Sequence, residues 1–144
     1  MKFLSKISIL LIAVLLGFSS CSDEPDGKWA KMKWNNVDNL VKVNNIYVIP
    51  EEGGTFTFEC KNYTPWLSRV YVNNEPKPIV REDLHEMWKK CIIDDWFEIE
   101  IVDKKMIIFF DRIDDYYLTE RKVTVEVTAG DIFDTFIFQQ QKRQ

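Results

Sequence analysis

Several segments of the chain alternate apolar and polar residues, which is the pattern of a β-strand with one buried face. In residues 55–60, one face of the predicted strand carries Phe56, Phe58 and Cys60, and the other carries Thr55, Thr57 and Glu59. The same alternation recurs in residues 97–101, 123–127 and 136–138. Residues 46–49 are β-branched or aromatic and end at Pro50, so they predict a further strand. Strands at such short intervals favour an antiparallel β-sandwich over an α/β fold.

Turn residues and one uniformly apolar run complete this pattern. The segments Glu51–Gly54, Asp103–Lys105 and Ala129–Asp131 predict tight connections. Residues 70–72 predict a short strand, and residues 106–110, which are apolar throughout, predict a strand buried on both faces.

One segment has helical rather than strand spacing. Apolar residues recur at helical intervals between residues 80 and 91, at Val80, Leu84, Met87, Trp88 and Cys91. Charged residues, including Glu82, Asp83, Glu86 and Lys89, fill the positions between them. This amphipathic pattern predicts one short helix inserted into the all-β domain.

The N-terminus has the features of a secretory signal. Lys2 and Lys6 precede an apolar run over residues 7–18, and Ser19-Ser20-Cys21 follows. The run is too short for a membrane-spanning helix, which needs about 20 residues. Cys21 after two small residues resembles the lipobox of bacterial lipoproteins, and this resemblance implies lipidation at Cys21 after removal of residues 1–20. The alternative is an ordinary signal peptide with an incidental cysteine.

Residues 21–27 predict a flexible acidic tether, because they combine Asp23, Glu24 and Asp26 with Pro25 and Gly27. This segment resembles the acidic export signal of surface lipoproteins in the Bacteroidetes. The resemblance implies an outer-membrane lipoprotein at the cell surface. A solvated spacer on a protein that faces the periplasm is the alternative.

Length and charge limit the remaining possibilities. The chain has 144 residues, with 19 basic and 23 acidic side chains. Removal of residues 1–20 removes two lysines, which leaves 124 residues with 17 basic groups against 23 acidic ones, a net charge of −6. That length fits one domain, over residues 28–144. The acidic balance argues against nucleic acid as a partner, because phosphate binding requires a basic surface.

A set of motif residues resembles the BACON family, small immunoglobulin-like β-sandwich modules of secreted Bacteroidetes proteins (Bacteroidetes-associated carbohydrate-binding, often N-terminal). The first group is Val48, residues 53–58, Asn62 and Trp66; the second is residues 120–127, Gly130 and a closing glutamine, Gln139 or Gln140. The resemblance covers about residues 46–141 and implies an immunoglobulin-like fold with a glycan- or mucin-binding role. Modules of this family also act as inert spacers. Residues 74–95 depart from the family by their length.

Catalytic and metal-binding patterns are weak, so we expect neither an enzyme nor a cofactor. Beyond the cleavage site the chain keeps Ser22, Ser68 and a single histidine, His85, without a nucleophile motif. One histidine and two non-lipidated cysteines cannot complete a standard zinc site without carboxylates. Asp111, Asp114 and Asp115 cluster, but their spacing matches no calcium loop, and we expect no metal.

Cys60 and Cys91 are the cysteines that remain besides the predicted lipid anchor. Outside the cytoplasm they could form a disulfide, which would stabilise the fold by roughly 3–4 kcal/mol according to the loop-entropy model. Alternatively, Cys60 is a buried free thiol, since it shares a strand face with Phe56 and Phe58.

Aromatic side chains are the candidate ligand carriers, because a sugar ring stacks its C–H face on an exposed aromatic ring. Trp88, Trp96, Tyr116 and Tyr117 lie near predicted loops or the insertion. Trp66 matches the family's tryptophan, for which we expect core packing. Two aromatics on one exposed face would favour a neutral glycan as partner. A contiguous apolar patch around Trp88, with exposed sheet edges, would favour an envelope protein.

Overall fold

A computed structural model describes residues 29–81, 90–114 and 120–142, and it gives side-chain surroundings for residues 29–79, 94–114 and 120–142. The chain forms two compact units, Met1–Ala30 and Lys31–Gln144. Nearly all of the first unit, including the predicted signal peptide, Cys21 and the tether, lies outside the described residues.

The described residues form an all-β fold of two six-stranded sheets. The first sheet contains, in spatial order, β1 (Trp34–Asn36), β4 (Gly54–Cys60), β10 (Lys105–Phe110), β9 (Phe97–Val102), β8 (Lys90–Asp94) and β7 (Val80–Arg81). The second contains β2 (Lys42–Val43), β3 (Ile46–Ile49), β12 (Ile132–Gln141), β11 (Glu120–Ala129), β5 (Trp66–Val72) and β6 (Glu75–Lys77). The all-β prediction is confirmed.

One strand pair departs from the antiparallel prediction. β3 and β12 run parallel, with Tyr47 opposite Phe138 and Ile49 opposite Gln140, so the second sheet is mixed. The two strands lie near opposite ends of the domain sequence and share no hairpin. No short turn therefore requires them to run in opposite directions.

The two sheets pack face to face through aromatic rings, in a β-sandwich-like arrangement. Phe58 of the first sheet is fully buried, and its ring lies 4.8 Å from Tyr47 and 5.1 Å from Phe136 of the second. Phe110 contacts Phe138 with ring centroids 5.7 Å apart. Edge-to-face geometry of this kind adds to the hydrophobic gain from burial.

The strand face predicted for residues 55–60 is confirmed, because Phe58 and Cys60 are buried and Phe56 packs against the core. The prediction that residues 106–110 are buried on both faces is wrong. Ile107 is half-buried, and Phe109 is 38% exposed. Among the described residues, none forms the second layer over the outer face of β10 that such a strand would need.

The predicted helix over residues 80–91 is wrong at both of its ends, because Val80–Arg81 and Lys90–Asp94 are paired strands. β8 also extends the sheet beyond β9, so its backbone groups are satisfied by a ladder rather than by helical bonds. The β-branched pair Ile92-Ile93 favours that outcome. The rest of the predicted helix, residues 82–89, lies outside the described residues.

Two hairpins turn through pairs of asparagines. Asn44 and Asn45 join β2 to β3, and Asn73 and Asn74 join β5 to β6, all with positive φ. Two consecutive residues with positive φ give the tight turn whose twist matches paired strands. Asparagine tolerates this conformation better than other non-glycine residues.

Candidate functional site

Of the four predicted ligand-carrying aromatics, only Trp96 is among the described residues. It is half-buried, with its ring 4.7 Å from the ring of Phe97 and 4.7 Å from the guanidinium carbon of Arg121. Its backbone oxygen accepts a hydrogen bond from the amide of Asp111. Trp96 therefore acts mainly as a packing residue. Trp88, Tyr116 and Tyr117 lie outside the described residues.

The disulfide between Cys60 and Cys91, one of the two alternatives for these cysteines, is not formed in this fold. Cys60 is a buried free thiol at the end of β4. Cys91 lies on β8, which β10 and β9 separate from β4. Three strand spacings alone put the two backbones about 14 Å apart. A disulfide requires Cα atoms within about 7 Å, so the free-thiol alternative holds for Cys60.

One end of the sandwich, called here the glutamine end, is organised by Gln140. This side chain is fully buried, and its Nε2 lies 2.9 Å from the oxygen of Pro50, 3.1 Å from that of Glu51 and 2.9 Å from that of Asp111. The first two oxygens belong to the turn between β3 and β4, and the third follows β10. Gln140 thus ties segments from both sheets together.

At the glutamine end, the backbone at Gly53 also lies very close to the backbone at the end of β10. Its φ is +74°, and a Cβ at this position would lie 2.1 Å from the oxygen of Phe110. Only glycine fits such a contact. Nearby, Arg121 stacks over Trp96 and donates from Nη2 to the oxygen of Arg112. Gly53, Arg121 and Gln140, which belong to the motif residues of the family resemblance, therefore hold the fold together at this end.

A different surface, the outer face of the second sheet, carries aromatic rings. Trp66 pairs with Thr128, which pairs with Phe133, so the three residues form one row across β5, β11 and β12. Leu67 and Ile132, the chain neighbours of the two aromatics, face the core. Strand alternation therefore puts Trp66 and Phe133 on the outer face, about 10 Å apart. Phe133 is 64% exposed, and Trp66 is half-buried.

Polar groups and a third aromatic surround this row. Arg69 and Glu126 lie one step along the strands and form an ion pair at 3.8 Å. Tyr71 lies further along, paired with Thr124 and half-buried. We call Trp66, Arg69, Tyr71, Glu126 and Phe133 the aromatic face. It combines ring surfaces with a guanidinium, a carboxylate and one hydroxyl, which are the groups that hold a sugar ring and its hydroxyls.

Sequence reasoning missed this surface, although the signal was present. Phe136 and Phe138 alternate toward the core, so Phe133, three residues before Phe136, falls on the opposite face. Trp66 was expected in the core. A bulge between Glu126 and Val127 in its ladder to β11 shifts the register of β5, and Trp66 points outward.

The opposite end of the first sheet, called here the lysine end, carries exposed positive charge. Its exposed lysines are Lys31, Lys33, Lys61, Lys104 and Lys105. Asn62 fixes the first two, because its Oδ1 accepts from the amide of Lys33 at 2.8 Å and its Nδ2 donates to the oxygen of Lys31 at 3.0 Å. Lys61 forms an ion pair with Glu59 and lowers the pKa of that carboxyl, with smaller contributions from Lys105 and Lys104.

The acidic cluster near the glutamine end is only partly described. Asp114 forms an ion pair with Arg112 at 3.2 Å, and Asp115 lies outside the described residues. Within residues 29–81, 90–114 and 120–142, three or more metal-ligating side chains do not come together, and no helix is long and apolar enough to cross a bilayer.

Comparison with protein-family models and with curated proteins gives no match. Among solved structures, the chain is similar to a protein from Bacteroides thetaiotaomicron whose structure was determined by NMR. The two are 30% identical in sequence, and the TM-score is 0.68. The similarity covers 85% of this chain and 97% of the other. At that identity and coverage, the chain belongs to the same family as this Bacteroides thetaiotaomicron protein.

Proposed function

We propose that the protein is a non-catalytic, lipid-anchored cell-surface module that binds a neutral glycan on the aromatic face. The observation that carries this proposal is the row Trp66–Thr128–Phe133, which holds two aromatic rings on one outward surface about 10 Å apart. In this proposal the domain is a BACON-like module with immunoglobulin-like topology. The motif residues Gly53, Asn62 and Gln140, which the sequence shares with that family, support this assignment.

The surroundings of the two rings support a sugar rather than a purely apolar ligand. Arg69 and Glu126 lie next to the row and satisfy each other only at 3.8 Å, so both retain capacity for hydroxyl groups. Sugar rings present an apolar C–H face together with a rim of hydroxyls. The aromatic face offers both complements on one surface.

Charge and size set the expected strength of binding. The mature net charge of −6 disfavours a polyanionic glycan. Stacking on two or three rings supplies only a few kcal/mol after the cost of association, so the dissociation constant should lie between about micromolar and millimolar. Binding should change little with salt, because stacking and hydroxyl bonds carry little charge.

The second candidate is an envelope module that contacts another protein without binding carbohydrate. Exposed apolar residues such as Phe133 and Phe109 support it. Strand addition at the sheet edges is a poor route, because the four edge strands of the described residues contain two or three residues each. One of them, β6, also contains Pro76, which cannot donate to a ladder.

A glycan array followed by titration calorimetry tests the aromatic face. We expect a neutral-glycan signal that falls at least tenfold in the double variant Trp66→Ala/Phe133→Ala, since each ring contributes roughly 1 kcal/mol or more. The matched control is Phe109→Ala, which removes an exposed ring from the other sheet. An unchanged signal in the double variant, with the fold intact by circular dichroism, would reject this site and favour the protein-partner candidate.

The predicted residues Trp88, Tyr116 and Tyr117 belong in the same titration as a separate triple alanine variant. If that variant loses binding and the Trp66/Phe133 variant does not, the ligand site lies at the insertion and the 115–119 segment. Trp96→Ala is the less informative change, because loss of its contacts with Phe97 and Arg121 also lowers stability.

The lipid anchor is tested separately. Replacement of the acylated residue, Cys21→Ala, should release the protein from the membrane fraction, because several acyl chains on one residue provide the binding energy. Protease accessibility on intact cells then distinguishes the proposed surface location from the periplasmic face. Retention of the variant in the membrane fraction at the wild-type level would contradict the anchor.

A further inference from the structure

Exposed lysines of the first sheet concentrate at one end of the sandwich. The lysine end brings five lysines together, and the acidic side chains near them include Glu59, Asp103 and Asp134, whose carboxylate accepts a hydrogen bond from Trp34 beside Lys33. Described acidic residues concentrate at the glutamine end, at Glu51, Glu52, Asp111, Asp114 and Glu120. In an acidic protein, a local cluster of lysines is attracted to an anionic surface while the rest of the protein is repelled. The protein therefore turns its lysine cluster toward that surface.

Backbone contacts place the five lysines together. The amide of Cys60 donates to the oxygen of Lys104 at 2.7 Å, and the amide of Lys61 donates to the oxygen of Lys33 at 2.8 Å. Lys105 pairs with Glu59 across the ladder between β10 and β4. All five lysine side chains are exposed, and the pKa of Glu59 is lowered by its lysine neighbours, as expected where positive charge concentrates.

The chain reaches this corner from its N-terminus. Lys31 begins the second compact unit, and Cys21 lies ten residues before it. Ten residues span at most about 36 Å when fully extended. An acyl group on Cys21 would therefore hold the lysine end within that distance of the bilayer surface.

We infer that the lysine end contacts the anionic headgroups of the membrane in which Cys21 is anchored. This inference rests on the proposed lipid anchor. A basic surface beside a lipid anchor supplies a second, electrostatic attachment to anionic lipid. The five lysines belong to the first sheet and the segments that flank it.

Vesicle co-sedimentation of the mature protein with Cys21→Ser, which carries no acyl chain, tests the contact without the anchor. Vesicles of equimolar phosphatidylglycerol and phosphatidylcholine should bind the protein at low salt, and pure phosphatidylcholine vesicles should not. At about 1 M salt, where the Debye length is about 3 Å, the binding should disappear. The double variant Lys104→Gln/Lys105→Gln should bind roughly 10- to 30-fold more weakly.

The matched control, Arg112→Gln/Lys122→Gln, makes the same change in net charge at the glutamine end and should bind as well as the parent protein. Equal loss in the control, equal binding to phosphatidylcholine, or no binding to anionic vesicles at low salt would overturn the inference. Fractionation of Cys21→Ala in cells concerns the anchor alone, so failure of the anchor and failure of the lysine contact are seen separately.

Discussion

The glutamine end and the lysine end hold their polar groups in opposite ways. At the glutamine end, Gln140 is fully buried and its side-chain amide lies within hydrogen-bond distance of three backbone oxygens. Gly53 allows its own backbone to lie close to that of Phe110. At the lysine end, Lys61 and Glu59 form an ion pair whose side chains remain 54% and 32% exposed. Loss of a buried polar contact costs its desolvation, whereas water replaces an exposed one. The glutamine end should therefore dominate stability, and the lysine end is available to partners.

The largest effect should come from Gly53→Ala. A methyl group there would lie 2.1 Å from the oxygen of Phe110 and 2.8 Å from the carbonyl carbon of Asp111, on a backbone with positive φ. Denaturant unfolding should show a loss of about 3 kcal/mol or more, because the backbone of β10 must shift. Gly130→Ala is the matched control, since its φ is +72° with no atom within 4 Å of the added Cβ, and it should cost about 1 kcal/mol. Equal losses would mean that φ alone, and not the close approach, sets the requirement.

The next effect should come from Gln140→Leu. Leucine is similar in size but donates no hydrogen bond, so the backbone oxygens of Pro50 and Asp111 lose a donor. We expect a loss of about 2 kcal/mol in the free energy of unfolding. Gln139→Leu, on the half-buried outer face of the same strand, should cost less than about 0.5 kcal/mol. A small loss at Gln140 would show that the three contacts do not hold the sheets together.

Much of the fold could be predicted from the sequence, because strand alternation reports burial directly. The faces of residues 55–60 and the bounds of β3 follow from local pattern. The strands at residues 80–81 and 90–91 were not predicted, because the local spacing of apolar residues is helical, although each strand pairs with one that is near it in sequence. Phe109 was misjudged because an apolar run does not show which face lacks a covering layer.

The candidate site was less predictable than the fold. The family resemblance includes Gly53, Asn62 and Gln140. In the structure these residues contact the backbone of neighbouring segments and hold those segments in place. Trp66 and Phe133 come together only through the register of three strands, which no local window contains. The motif residues therefore indicate the fold. The candidate ligand surface is instead formed by residues that strand pairing brings together.

At the lysine end, Asn62→Ala should have a moderate effect. It removes the side-chain bonds to the backbone of Lys31 and Lys33, which lie at exposed positions. Water replaces both partners, so the loss should be about 1 kcal/mol, less than for Gln140. Hydrogen exchange at the amide of Lys33 should accelerate, while Asn35→Ala, an exposed change on β1, should leave it unaltered. Protection that persists in Asn62→Ala would contradict the role of this side chain.

The smallest effect concerns Glu59, and it separates charge from packing at the lysine end. The hydrogen bond and charge of Lys61 lower the pKa of Glu59 from 4.5, with further lowering by Lys105 and Lys104. Because the folded-state pKa is depressed, the stabilisation is present above the unfolded-state pKa and is lost as pH falls through the folded-state value. Both side chains are solvent-exposed, so salt should weaken this contribution.

Carboxyl NMR titration of Glu59 measures this effect directly. In Lys61→Gln the pKa should rise toward 4.5, because the largest favourable contact of the carboxylate is removed. Residual lowering should persist from Lys105 and Lys104 and should disappear at high salt. Lys122→Gln, at the glutamine end, is the control and should leave the titration of Glu59 unchanged. A pKa that does not move in Lys61→Gln would mean that the lysines do not act on this carboxylate. The lysine end would then not differ from the glutamine end through the electrostatic effect of its exposed charges.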